Sequence, residues 1–175
     1  MIGLDPAVPA LIDVLEQLAG VVGTLTPSQY VGRPAAFAGS CIGTHVRHCI
    51  DHVAALVSAS ESGILDYDRR QRGSLIEIDP AAALEALRKG IADLGALPAE
   101  AIRRPLALRG VLSAAGRSVT IPSNMERELA YVLSHTTHHN AIIGFLTHAA
   151  GGATPDHFGY AASTVAFLTE TRCAR

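Results

Sequence analysis

Residues 123–150, SNMERELAYVLSHTTHHNAIIGFLTHAA, carry the strongest helical signal in the chain. Apolar and small residues recur there every three or four positions, which is the spacing of one face of an α-helix. The stripe consists of Met125, Leu129, Val132, Thr136, His139, Ile143 and Leu146. Ser123 and Glu126 match a capping box at the start, and Gly151-Gly152 predict that the helix ends near Ala150.

Three other segments show helical spacing, and we expect helices over residues 5–25, 40–60 and 79–97. Asp-Pro pairs open the first and the third of these segments. Because Asp caps free backbone N–H groups and proline suits the first helical position, both pairs favour a helix start. Ser40 is the expected N-cap of the segment between them.

The remaining segments are shorter. Residues 30–39 and 65–79 are expected to be irregular, residues 105–109 and 118–121 to form a small hairpin, and residues 163–172 to form a short fifth helix. The sequence therefore predicts an all-α fold, a single helical domain over residues 1–175 with a hairpin-like insert and a short C-terminal helix.

Composition excludes several classes of protein. Of 175 residues, 49% are apolar and 17% charged, with a formal net charge of −2, so a sizeable core is expected and disorder is not. No run of Lys or Arg is visible, which argues against nucleic acid as the main partner. The most apolar stretch, residues 141–153, is too short to cross a bilayer, so no membrane partner is expected.

The cysteines and the N-terminus bear on localisation. The three cysteines, Cys41, Cys49 and Cys173, form no CxxC pair, and the first two would lie too far apart on one helix to form a disulfide. Residues 1–10 show no basic segment typical of a signal peptide. Both observations predict a protein of the reducing cytoplasm.

The histidines are the main functional signal, because six of the eight fall in two of the predicted helices. At 100° per residue, His45, His48 and His52 share one face of the second helix. In the fourth helix His135 and His139 lie one turn apart on one face, and His138 is offset from His139 by 100°.

This pattern predicts a site for one divalent metal ion. Two imidazoles at i and i+4 can chelate one cation, and a third from another helix completes a set that leaves positions open for water or substrate. Periodicity does not decide between His45 and His48 as that third ligand. His139 falls where a core residue belongs, and a metal would satisfy its buried lone pair. Three imidazoles suit Zn, Ni, Fe or Co about equally well.

Two motifs resemble signatures of the DinB/YfiT-like superfamily. Residues 40–52, SCIGTHVRHCIDH, resemble the first signature, a helix with a His followed by an apolar and often an acidic residue. Residues 134–141, SHTTHHNA, resemble the second, an HxxxH late in the fourth helix. The order and separation of the two motifs also fit, and the resemblance extends over nearly the whole chain.

The resemblance implies a four-helix bundle of up-down-down-up connectivity, a homodimer, and one divalent ion held by His48, His135 and His139. It favours His48 over His45 as a ligand. Three nearby residues are assigned supporting positions. Asp51 is a candidate hydrogen-bond acceptor for a ligand imidazole, His52 is either such a partner or a core residue, and His138 lies at a rim or an interface.

Characterised members of the superfamily include thiol-dependent S-transferases, so the resemblance implies a small-molecule substrate. The expected chemistry is activation of a low-molecular-weight thiol or of water for attack on an electrophile, as in an S-transferase or a hydrolase. Arg69, Arg70 and Arg72 are candidates to bind a substrate carboxylate. A non-catalytic module that binds metal or responds to stress as a dimer is the alternative, and haem binding through one histidine is a third hypothesis.

Overall fold

A computed structural model describes residues 6–35, 39–69 and 73–173. This part of the chain is mostly helical. The helices are α1 (Ala7–Val22), α2 (Pro27–Val31), α3 (Ile42–Ser62), α4 (Pro80–Gly95), α5 (Ala99–Ile102), α6 (Met125–Ala149) and α7 (Ala162–Cys173). The strands are β1 (Ile64–Asp66), β2 (Pro105–Val111) and β3 (Ser118–Asn124), and Leu75–Glu77 forms a 3-10 turn. Asp5, the predicted cap of the first helix, lies outside the described residues.

The four long helices contact one another in a ring. Helix α1 packs against α4 and α6, and α3 packs against the same two helices from the other side. Their apolar stripes meet in one core, which includes Leu11, Leu18, Leu56, Leu87, Leu129 and Ile143. The predicted stripe of α6 is confirmed, because all seven of its members are buried.

The predicted helix limits are close, but two caps are wrong by one residue. Cys41, not Ser40, is the N-cap of α3, and its backbone carbonyl accepts a hydrogen bond from the Thr44 hydroxyl at 2.7 Å. Asn124, not Ser123, caps α6 by accepting a hydrogen bond from the Arg127 N–H. In both cases the serine hydroxyl has a different side-chain partner.

The chain is mostly helical, as predicted, but it is not all-α, because a three-stranded sheet lies beside the helices. Strands β2 and β3 form the predicted antiparallel hairpin, and β1, which the sequence did not indicate, pairs with β2 in parallel. Gly63 ends α3 in the left-handed conformation, with φ of 71°, and leads directly into β1. Because β3 continues into α6, the sheet links the end of α3 to the start of α6.

The segment before α4 is fixed against α3 by close backbone contact. The hydroxyl of Tyr30 donates to the Ile76 carbonyl at 2.7 Å, and the buried Arg47 pairs with Glu77 at 2.6 Å. At the point of contact stands Gly43, where a Cβ would overlap the Glu77 carbonyl oxygen and lie 2.7 Å from the Tyr30 ring. Only glycine leaves room for this approach.

Among the described residues, no helix combines the length and the apolarity required to cross a bilayer.

We expect Gly43→Ala to destabilise the protein by about 2 kcal/mol, because a methyl group in a filled space forces the 3-10 segment away from α3. The matched control is Gly20→Ala, also within a helix, where the added Cβ meets nothing within 4 Å. That substitution should be neutral or stabilising by up to about 1 kcal/mol, since alanine favours helix more than glycine. Urea denaturation of both variants tests this, and equal stabilities would contradict it.

Candidate metal centre

Six imidazoles meet where α3 packs against α6. The ring centroids of His48 and His135 are 5.0 Å apart, and each is 4.6 Å from that of His139. His52 lies 4.3 Å from His48 and 4.5 Å from His135. The histidines thus face one another across the two helices, as the shared helical faces predicted. His45 and His138 lie at the edge of the cluster, 5.1 and 5.3 Å from His139.

His48, His52 and His135 form the group that can hold one metal ion. One ring nitrogen of each lies within 4.8 Å of the other two. The Nε2 atoms of His48 and His135 are 2.9 Å apart. Two imidazole lone pairs at this distance repel each other unless a proton or a cation lies between them. Nitrogen ligands of a tetrahedral Zn ion at about 2.0–2.1 Å would stand about 3.3 Å apart, so a small adjustment accommodates an ion.

His52 is oriented for this role by the backbone. Its Nδ1 lies 2.9 Å from the carbonyl oxygen of His48, one turn earlier on α3. Since a carbonyl only accepts, Nδ1 carries a proton, and in the neutral ring Nε2 carries a lone pair. Metal-binding imidazoles commonly donate their second N–H to a carbonyl or carboxylate in this way. The neutral nitrogen donors and this outer hydrogen bond fit a divalent ion.

His139 pairs with His45. Their Nδ1 atoms are 2.9 Å apart, and the Nε2 of His45 lies 2.7 Å from the Ser40 hydroxyl. Burial, followed by repulsion from the neighbouring histidines, lowers the pKa of His139 to about 3. Burial and then His138 lower the pKa of His45 as well. Both rings are therefore neutral at pH 7 and retain a lone pair.

The structure places the predicted ligands as follows. His48 and His135 both belong to the group of three. His45, which the sequence left as the alternative to His48, is not a member of this group. The third member is His52, which the sequence treated as a partner or a core residue. His139 is adjacent but lies outside that group, so its role as a ligand stays a prediction.

The other candidates are less central. Asp51 forms an ion pair with Arg47 one turn earlier on α3, and its role toward a ligand imidazole stays a prediction. His138 is exposed beside His139. Arg69 is exposed, whereas Arg70 and Arg72 lie outside the described residues.

Two tyrosines that the sequence analysis did not single out cover the cluster. The Tyr67 ring stacks on His52 at 4.7 Å and 14°, and the Tyr131 ring stacks on His135 at 5.5 Å and 13°. Tyr131 could have been found, because it lies four residues before His135 and so shares its face of α6. Tyr67 gives no such signal, because it comes from an irregular segment.

A buried carboxylate holds Tyr67 in place. Glu128 on α6 has no exposed surface, and its Oε2 accepts a hydrogen bond from the Tyr67 hydroxyl at 2.9 Å. Its Oε1 accepts from the Ser123 hydroxyl at 2.5 Å and pairs with Arg127. Burial, then the nearby Glu128 charge, raises the pKa of the Tyr67 hydroxyl well above its usual range, so that the phenol stays protonated.

A cavity of about 310 Å³ adjoins these tyrosines. Tyr67 and Tyr131, which form part of its wall, also contact the histidines, so the cavity and the cluster share a boundary. The sheet and the residue that follows β2 supply an apolar side of Leu108, Val111, Leu112, Val119 and Ile121. Arg109 and Arg127 add positive charge, and Asp68 and Glu128 add negative charge. The cavity is therefore apolar on one side and has two side chains of each charge on its wall.

Comparison of the chain with protein-family models, with curated proteins and with solved structures found no match.

We expect Tyr67→Phe to destabilise the protein by about 1–3 kcal/mol, because Glu128 would lose a hydrogen-bond donor while remaining buried. The matched control is Tyr160→Phe, which removes the same hydroxyl from a side chain that is half exposed. Thermal denaturation of both variants measures the difference. Equal melting temperatures would show that Glu128 does not depend on Tyr67.

Proposed function

We propose that this chain is a divalent-metal-binding helical protein of the DinB/YfiT-like kind, and that the ion serves an enzymatic reaction. The observation that carries the proposal is the group of His48, His52 and His135, whose ring nitrogens lie within 4.8 Å of one another. Three protein nitrogens leave open coordination positions, as catalytic metal sites require. The ring of contacts among α1, α3, α4 and α6 supports a four-helix bundle, and the family resemblance is the basis for proposing up-down-down-up connectivity.

The reaction that the site supports best is attack of a thiol or of water on an electrophilic small molecule. A bound divalent ion would lower the pKa of either nucleophile toward neutrality. The residues of the chain supply the surroundings. Tyr67 and Tyr131 cover His52 and His135, which limits the access of water to them. The carbonyl of His48 fixes the proton of His52 on Nδ1.

The cavity beside the tyrosines is the proposed substrate site. Its apolar wall would bind the body of the substrate, and Arg109 or Arg127 would bind a carboxylate or another anion. Arg127 already pairs with Glu128, so Arg109 is the better candidate for this role. The proposed product is a thioether, if a thiol attacks, or a hydrolysed ester or amide, if water attacks.

Metal binding can be tested on chelator-treated protein titrated with Zn, Ni, Co and, without oxygen, Fe(II). We expect one ion per chain, and we expect His48→Ala, His52→Ala and His135→Ala each to weaken binding by more than about 100-fold, the upper range for loss of an outer hydrogen-bond partner. His148→Ala is the matched control, because that histidine lies on α6 outside the group and pairs with Thr154. Isothermal titration measures the affinities.

The same titration decides between His52 and His139. If His139→Ala removes the metal and His52→Ala does not, the ligand set is the one implied by the family resemblance. If no variant in the cluster changes the affinity, the metal proposal fails. Circular dichroism of each variant excludes loss of the fold as the cause.

Turnover is the second test. The metal-loaded protein is incubated with low-molecular-weight thiols and an electrophile such as an alkyl halide or an epoxide, and separately with esters and amides. We expect product formation that disappears in His135→Ala, because that variant loses a ligand. Arg109→Gln should raise KM about tenfold for anionic substrates with little effect on neutral ones. Chromatography with mass spectrometry detects the products.

Full metal occupancy without turnover would favour the alternative, a non-catalytic metal-binding module that acts as a homodimer. The exposed apolar side chain of Phe145 on α6, 67% exposed, supports an association surface on that helix. Sedimentation of the same preparation gives the oligomeric state.

A further inference from the structure

A second constellation lies at the start of α3, on the side of the cluster away from His52. The Ser40 hydroxyl is 2.7 Å from Nε2 of His45, and Nδ1 of His45 is 2.9 Å from Nδ1 of His139. The three side chains thus form one hydrogen-bonded chain. A hydroxyl within reach of an imidazole that is itself oriented by a third group is the arrangement of an activated nucleophile.

We propose that Ser40, His45 and His139 form a nucleophilic site for acyl transfer from a small activated ester. Ser40 is the nucleophile, His45 is the base, and His139 is a positioning residue. The proposal requires the tautomer of His45 that carries its proton on Nδ1. Ser40 then donates to Nε2 of His45, and the Nδ1–H of His45 donates to His139. In that tautomer the Nε2 lone pair faces the hydroxyl proton.

The position of Ser40 supports this role. Ser40 is half buried and does not cap α3, because Cys41 does. Its hydroxyl is therefore not engaged by the helix end, and it contacts an imidazole instead. The first N–H groups of the helix, on Ile42 and Gly43, have no acceptor within the helix itself, and they follow Ser40 directly in the chain. The positive end of a helix stabilises an oxyanion that develops nearby.

The proposed reaction has an acylation half and a hydrolysis half. The Ser40 oxygen forms a bond to the carbonyl carbon of the ester, and its proton moves to Nε2 of His45. The carbon–oxygen bond to the leaving alcohol then breaks, and the alcohol takes the proton from His45. Water repeats the sequence on the acylated serine, which releases the carboxylic acid and restores Ser40 and His45.

Ser40 and His45 belong to neither ligand set proposed for the metal, whereas His139 belongs to the set that the family resemblance implies. The test therefore uses chelator-treated, metal-free protein, incubated with p-nitrophenyl acetate and separately with a fluorophosphonate. Intact-mass analysis counts the adducts, and peptide mapping locates them. We expect one adduct, on Ser40, in the wild-type protein.

The variants separate the three roles. Ser40→Ala should remove the adduct, and Ser134→Ala, an exposed serine beside His135, should leave it unchanged. His45→Gln should slow acylation of Ser40 by about 100-fold, the lower range for loss of a general base. His139→Leu should slow it about tenfold, and His139→Gln should recover part of the rate, because its amide oxygen accepts the Nδ1–H of His45.

Absence of an adduct on Ser40 in the wild-type protein would overturn the proposal. So would acylation of Ser40 at the wild-type rate in His45→Gln. The second result does not depend on Ser40→Ala folding correctly, and circular dichroism checks the fold of every variant. If Ser40→Ala loses the adduct but still binds metal with the wild-type affinity, the nucleophilic site is distinct from the metal centre.

Discussion

The packing of α3 against α6 brings six imidazoles together, and each of their buried ring nitrogens needs a hydrogen-bond partner or a cation. Two nitrogen pairs lie at 2.9 Å, one between His48 and His135 and one between His45 and His139. Each pair must contain a shared proton or a shared cation. The residues around the cluster orient these rings and supply hydrogen-bond partners to them.

The surroundings of the cluster keep His45 and His139 neutral at pH 7 and hold His52 in place. Burial lowers the pKa of His139, and the neighbouring imidazoles lower it further because a second positive charge would repel the first. Tyr67 stacks on His52 and is itself held by Glu128, which is buried at the first turn of α6. A carboxylate with no exposed surface is stable only with several partners, and Ser123, Arg127 and Tyr67 supply them. The cluster is therefore held from the start of α6 as well as from α3.

The sequence predicted the long helices and the histidine face well, because both depend on periodicity. The sequence analysis missed α2, although Thr26 and Gln29 have the spacing of a capping box and could have predicted the start of this helix. It missed β1 because three residues show no alternation and their partner strand lies about forty residues later. The caps at Ser40 and Ser123 were each predicted one residue too early, because the residue that follows each serine is the actual N-cap. The two serine hydroxyls bind the side chains of His45 and Glu128 instead.

The ligand assignment shows a different limit. His45, His48 and His52 share a helical face, and periodicity cannot tell which nitrogen points to a common centre. That depends on ring orientation, which the His48 carbonyl sets for His52 and Ser40 sets for His45. The position of Tyr67 could not be predicted from the sequence, because it depends on the parallel pairing of β1 with β2. Tyr67 directly follows β1 and reaches Glu128 on α6.

Gly43 has a consequence for how this chain can change over evolution. Its contact with Glu77 and Tyr30 fixes the rotational phase of α3 two residues before His45. One inserted or deleted residue between Gly43 and His52 would turn part of the imidazole set by about 100° away from α6. The turn around Gly116 carries no such constraint, because nothing lies within 4 Å of a Cβ built there. Length variation in descendants of this sequence should therefore accumulate in the hairpin turn and be excluded from the first half of α3.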